Sequence, residues 1–175
     1  MPVRQAREGE AGAWDALFRR YQLPLFTYVN ELAHDEQASL DIVQETFIAA
    51  ARHIGGLRED GKFGSWLFGI AHQKCVQLWR KKSRETVPID ELEEQSICGD
   101  AEPDELLIRE EQEAMVMKFL EQLAAPHRAV LLLHYLEDFS LEEIAGVTGC
   151  ELGTVKSRLH YARKAMRKLL EENKS

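Results

Sequence analysis

Apolar side chains recur at intervals of three and four along most of this chain and never alternate for long, a periodicity that points to helices and leaves no room for a sheet. In the first stretch Trp14, Leu17, Phe18, Tyr21, Leu25, Phe26, Tyr28, Val29 and Leu32 form one broad stripe, and Pro24 inside it predicts a kink or a break. Over 41–54 the inward set is Ile42, Val43, Phe47, Ala50, Ala51 and Ile54, which leaves Asp41, Gln44 and Glu45 on the outer face. Gly55-Gly56 stops that helix, and 57–64 has the charge and glycine content of a loop. A third helix is predicted from about Ser65, read as its N-cap, through Trp66, Leu67, Ile70, Ala71, Val76, Leu78 and Trp79 to the basic end Arg80-Lys81-Lys82. These helices make one domain over 1–84, and the expected fold class is all-α, with two small helical domains.

Charge marks the boundary. The net charge of -8 is unpromising for contact with a polyanion, but it is unevenly spread. Residues 1–82 carry 11 basic and 10 acidic side chains, 83–121 carry 3 and 13, and 122–175 carry 8 and 7. The acidity sits in the middle, so both flanks are free to present basic faces. Residues 85–103, polar and acidic with Pro88, Gly99 and Pro103, read as a flexible linker. A second domain over 104–175 starts with Asp104 as a cap candidate and carries Leu107, Met115, Phe119, Leu120 and Leu123. Pro126 then suits the first turn of another helix with Ala129 to Leu133, Tyr135 and Leu136.

The sharpest local signal follows. Ser140-Leu-Glu-Glu143 is a capping box ahead of Ile144, Ala145 and Val147, and this short helix must end near Gly149. Cys150, Glu151, Leu152 and Gly153 read as a tight turn, after which Thr154 caps a second helix with Val155, Leu159, Ala162, Met166 and Leu169 inward. Helix, glycine turn and helix is the helix-turn-helix pattern. Between Thr154 and Lys168 stand Lys156, Arg158, Arg163, Lys164, Arg167 and Lys168 with no acidic residue. Six like charges in about four turns repel one another, so a polyanion partner is favoured over a mere solvated face. Lys156, Ser157, Arg158 and His160, near the start of that helix, would face the major groove, with the later basic residues on phosphates.

Other chemistries find little support. No run of eighteen apolar residues exists, and residues 1–10 carry Arg4, Arg7, Glu8 and Glu10 where a signal peptide would be apolar; no membrane insertion and a cytoplasmic location are expected. Cys75, Cys98 and Cys150 lack metal or disulfide spacing and suit a reducing compartment. Gly56 to Lys62 matches most of a phosphate-binding loop, but Phe63 stands where a magnesium-binding hydroxyl is needed. His72 and Cys75 lack a second pair of ligands, Glu31, His34 and Glu45 lack the second Glu-x-x-His of a bundle metal site, and no nucleophile constellation is present. No metal, cofactor or catalytic residue is expected.

DIVQETF (41–47), FGSWLFGIAHQKCVQLWRKK (63–82) and LEEIAGVTGCELGTVKSRLHYARKAMRKLL (141–170), in this order and spacing, resemble regions two and four of the extracytoplasmic-function RNA polymerase sigma factors of the sigma-70 family. The resemblance implies a polymerase subunit that is not itself an enzyme. By it, Asp41, Gln44 and Glu45 would dock on the clamp helices of core RNA polymerase. Residues 57–82 would bind and open the minus-ten promoter element, with Phe63 and Trp66 beside Lys62 offering a pocket and a stacking surface and Lys74, Arg80 and Lys81 contacting the DNA backbone. Thr154, Lys156, Ser157, Arg158, His160, Tyr161, Arg163 and Lys164 would read the minus-thirty-five element. Tyr161 departs from the family, which often has arginine there. The resemblance also implies an anti-sigma factor covering the polymerase-binding surface. In the family the linker passes near the active-site and RNA-exit channel, where the acidic residues over 91–113 could mimic nucleic acid, or could simply be a solvated tether.

Two rival readings share part of the pattern. A helix-turn-helix regulator acting without polymerase would have the same C-terminal half, but its N-terminal half would need a ligand pocket or an alternating strand-helix receiver. A helical adaptor without DNA contact would pack its basic helix on an acidic protein.

Overall fold

The computed structural model describes residues 2–85 and 113–174, every element of which is helical. The chain divides into two compact units. Asp104, Leu107, Cys98 and the 85–103 linker lie wholly or almost wholly outside the described residues.

In the N-terminal unit α1 (Pro2–Arg7), α2 (Ala11–Ala33), α3 (Glu36–His53) and α4 (Phe63–Glu85) are joined by two single 3-10 turns, Ile54–Gly56 and Asp60–Lys62. Helices α2, α3 and α4 pack against one another, with α1 on α2. Leu25, Val29, Ala50, Leu67, Phe68 and Ala71 lose all contact with solvent. Burial of about 1.5–3 kcal/mol per large side chain is what holds such a bundle together. Polar groups inside are satisfied: the Tyr28 hydroxyl lies 2.8 Å from His72 Nδ1, Trp79 Nε1 donates to the Leu32 carbonyl at 3.3 Å, and Thr46 Oγ1 donates to the Ile42 carbonyl at 2.6 Å. Burial raises the Tyr28 hydroxyl well above its ordinary pKa and pushes the thiol of the fully enclosed Cys75 up to about 12.

Several expectations for this unit need correction. Pro24 does not break α2, which is continuous because buried Leu17 on one side and Leu25, Tyr28 and Val29 on the other hold both halves to the same core. The second long helix starts five residues before Asp41, since Asp35 is an N-cap whose side chain accepts from the Ala38 N–H at 3.0 Å. The turn before it closes on His34 at φ 51, a left-handed position with no glycine to announce it. Ser65 is not a cap: α4 begins at Phe63, and the Ser65 hydroxyl donates to the Lys62 carbonyl at 3.2 Å. Phe18 and Ala51, expected inward, are exposed.

The C-terminal part of the chain forms α5 (Glu113–Leu120), α6 (Ala125–Tyr135), α7 (Leu141–Thr148) and α8 (Leu152–Lys174), of which the second unit holds all but the last turn of α7. Helix α6 packs against α8, as α5 does less extensively. Pro126 sits in the first turn of α6, where no N–H is needed. Ser140 caps α7 by accepting from the Glu143 N–H at 3.1 Å. Gly149 ends it at φ 70, and the Cys150 N–H reaches back to the Ala145 carbonyl at 3.2 Å, which is a Schellman close.

Candidate nucleic-acid interface

Helix α8 begins two residues before Thr154. Leu152 opens it, and the Val155 N–H bonds the Glu151 carbonyl at 3.1 Å, so Thr154 lies in the first turn and is not the cap. The turn of the helix-turn-helix is correspondingly shorter, Gly149 to Glu151. Val155, Leu159, Ala162 and Met166 are buried along one side, which rotates Lys156, His160, Lys164, Arg167 and Lys168 to the exposed side. Thr154, Ser157 and Tyr161 border this cationic face and are half-buried.

The two other arginines expected to reach DNA are engaged within the protein. Arg158 Nη1 donates to Cys150 Sγ at 3.0 Å, across the turn. Arg163 Nε donates to the Tyr135 hydroxyl at 2.7 Å, with the guanidinium 5.6 Å from the centre of the Tyr135 ring, which ties α8 to α6. Tyr161 stacks on His127 of α6, rings 6.4 Å apart at 17°, and meets His160 edge-on. The uncharged form of His127 is favoured there, first by burial and then by the charge of Arg158.

In the N-terminal unit Asp41, Gln44 and Glu45 are exposed on α3. Asp41 accepts from Gln37 at 3.2 Å, and Glu45 pairs with Lys74 of α4 at 3.6 Å. Two groups of predicted residues thus meet, since Lys74 was expected on DNA and Glu45 on a protein partner. Lys62, Arg80 and Lys81 are exposed and Trp66 is half-buried. Phe63 cannot offer a stacking face in this conformation. It is 1% exposed and enclosed by the rings of Trp14, Tyr21 and Trp66 at 6.5, 5.4 and 5.8 Å, so it supports Trp66 from beneath.

One feature escaped the sequence reading. Between α2 and α3 runs an open apolar groove of about 910 Å³ lined by Phe18, Leu23, Phe26, Leu40, Phe47 and Ile48, with Gln44 on its wall. The signal was there: Leu40, Gln44 and Ile48 recur every four residues on the side of α3 away from its core stripe, where two large apolar residues have no packing reason to be. Among the described residues no group of three or more metal-ligating side chains gathers, and no helix is long and apolar enough to cross a membrane.

Comparison with known proteins accords with this division. Residues 17–85 match the family described as Sigma-70 region 2, and residues 113–166 match Sigma-70, region 4. The RNA polymerase sigma-H factor of Pseudomonas aeruginosa is 32% identical over 177 residues, covering 97% of this chain and 92% of that protein. The ECF RNA polymerase sigma-E factor of Escherichia coli is 30% identical over 172 residues, covering 94% and 90%. Among solved structures, CnrH in complex with the cytosolic domain of CnrY superposes with a TM-score of 0.68 at 25% identity, covering 98% of this chain and 96% of that one. The sigma factor RpoE of Bartonella quintana, in complex with the anti-sigma factor NepR, gives 0.65 at 25%, covering 89% and 97%. With both family regions present in order and relatives of 32% and 30% identity that cover nearly the whole chain, the chain belongs to the extracytoplasmic-function group of sigma-70 family RNA polymerase sigma factors.

Proposed function

We propose that this sigma factor, which directs RNA polymerase to promoters, divides the task between its two units. The exposed face of α3 with Asp41, Gln44 and Glu45 docks on core polymerase. The turn before α4 with Lys62, and α4 itself with Trp66, Lys74, Arg80 and Lys81, handle the minus-ten element. Helix α8 reads the minus-thirty-five element through Lys156, Ser157 and His160, with Thr154, Tyr161 and Lys164 at the flank. Arg158 and Arg163 hold α8 in place for that contact. The observation that carries this reading is the segregation on α8, apolar on the side facing its own unit and cationic on the other, in a chain of net charge -8. Domain limits of 1–84 and 104–175, with 85–103 between them, go with it.

The chain performs no chemistry of its own in this scheme; the polymerase makes the RNA. Two weak DNA contacts on one tethered chain add through effective concentration, so neither unit needs high affinity alone. A cytoplasmic location follows from the partners. The Bartonella relative is bound by an anti-sigma factor, and we assign a partner of that kind to this chain as well, covering the α3 face. Fluorescence anisotropy on promoter duplex with and without core polymerase tests the scheme. Tight promoter binding is expected only with polymerase. Equal binding by the chain alone would make it an independent regulator, and no binding in either case would remove DNA from its function.

A further inference from the structure

The connection from α3 to α4 is short of backbone anchors. The Leu57 N–H donates to the Ile54 carbonyl at 3.1 Å and the Lys62 N–H to the Glu59 carbonyl at 3.0 Å, each closing only its own local turn. A link between the two turns comes from elsewhere in the sequence. Arg7, the last residue of α1, sends Nη2 to the Leu57 carbonyl at 3.1 Å and to the Asp60 carboxylate at 2.6 Å. The pair is sheltered, with side chains 31% and 28% exposed, so solvent screens it less than an open surface pair.

Two effects meet in that contact. One guanidinium fixes the ends of residues 57–60, immediately before the helix that carries Trp66. It also compensates Asp60, a negative charge in a segment whose other charged side chains, Arg58, Glu59 and Lys62, are all exposed. An uncompensated carboxylate there would repel an approaching phosphate. We propose that Arg7 is a positioning residue for promoter opening: it touches no DNA, but it holds the 57–62 segment in shape and cancels Asp60 so that a nucleic-acid backbone can approach the start of α4. The inference rests on the assignment of this segment to the minus-ten element.

The test uses holoenzyme reconstituted from core polymerase and the full chain, on a promoter selected by sequencing DNA bound to the wild-type holoenzyme. Opening is followed by 2-aminopurine fluorescence in the minus-ten region. If the wild-type holoenzyme opens no selected promoter, the functional assignment itself fails, and this is seen before any variant is compared. With opening established, Arg7→Ala should slow it about tenfold, the scale of one charge-assisted bond, while core binding and upstream duplex binding stay within about twofold. Arg7→Ala/Asp60→Ala should recover at least about threefold of that loss, because the unpaired carboxylate is gone. A merely structural brace would not be rescued by a second deletion. Opening by Arg7→Ala at the wild-type rate, a loss of opening matched by an equal loss of core binding, or a double variant no faster than the single one would each overturn the inference.

Discussion

Arg128 offers the most direct test of how the DNA-reading unit is held together. It is 5% exposed on α6, yet it carries a full charge. Its Nε donates to the Leu120 carbonyl at 2.7 Å, and Nη2 to the Leu123 carbonyl at 2.7 Å and the Glu121 carbonyl at 3.5 Å. Leu120 ends α5, where the Leu123 N–H also donates to the Leu120 carbonyl at 3.1 Å and the Gln122 N–H to the Phe119 carbonyl at 3.0 Å, and the guanidinium adds its donors to that close in a helix end without a C-cap glycine. Arg128→Met keeps much of the aliphatic stem and removes every donor. Each short charge-assisted bond contributes about 1.5–3 kcal/mol, and release of the buried charge returns part of the sum, for a net loss of about 2–4 kcal/mol. A unit of this size has about 3–9 kcal/mol in total, so a large share goes. Melting of the C-terminal unit should fall by roughly 10–30 °C. Hydrogen exchange on the full chain should show amides of α5 and α6 losing protection while α2, α3 and α4 keep theirs. Upstream promoter binding should weaken and core binding persist. A melting temperature within about 3 °C of wild type, with unchanged exchange, would show that these carbonyls do not depend on the arginine.

Phe63→Leu should lower the melting temperature of the N-terminal unit but leave promoter opening per folded molecule near wild type, whereas Trp66→Ala should impair opening with little change in melting; the reverse pattern would return Phe63 to the stacking role. Lys156→Ala should reduce the salt dependence of upstream binding, lowering the slope of log affinity on log salt by about 0.9, and an unchanged slope would remove it from the phosphate contacts. His127 and His134 are both held below the ordinary value of 6.5, first by burial and then by Arg158 and Arg163 respectively. A depressed folded pKa means that their stabilising effect is complete above 6.5 and is lost as pH falls through the folded values. Glu137, raised by burial and then by Asp138, acts with the opposite sign at lower pH. Melting of the C-terminal unit between pH 7 and 5 should therefore fall less steeply in His127→Phe, which keeps a ring against Tyr161 but cannot titrate; equal slopes would refute the assignment.

The helices and their inward faces were legible because apolar periodicity is a property of the sequence itself. Ile42, Val43, Phe47 and Ala50 on α3, and Val155, Leu159, Ala162 and Met166 on α8, are buried as their spacing requires. The Ser140 cap and Gly149 stop were legible for the same reason, since each acts within four residues of its partner. Helix starts were less so. The second long helix was read only from 41 although Asp35 caps it, and Ser65 and Thr154 were read as caps although each lies inside its helix, because several residues in each stretch are able to cap and only the packed structure chooses among them. Phe63 was misplaced for a different reason: an aromatic beside lysine suits both a core and a base-stacking surface, and the three rings that enclose it come from distant parts of the sequence or from the far side of its own turn. Helix α1 was not anticipated at all, being six residues long with only Val3 and Ala6 buried.

The arginines show why counting charge overstates what faces DNA. Arg7, Arg128, Arg158 and Arg163 each donate to groups of their own unit: carbonyls, a carboxylate, a thiol and a phenol. Lys156, Lys164 and Lys168, by contrast, lie on the exposed side of α8. The division follows from the side chains. A guanidinium is planar, weakly hydrated and able to serve several acceptors from one fixed fork, so it is suited to bracing an interior; an ammonium is strongly hydrated and costly to enclose, so it stays at the surface as a mobile point charge. On the proposed reading, attraction to the phosphate backbone comes from Lys156, Lys164 and Lys168 together with the exposed Arg167, while Arg158 and Arg163 fix the angle at which that face is presented. Replacing a surface lysine with arginine should hardly disturb the fold, whereas replacing Arg128 or Arg163 with lysine keeps the charge and still loses the geometry, because one ammonium cannot reach the acceptors that the fork spans.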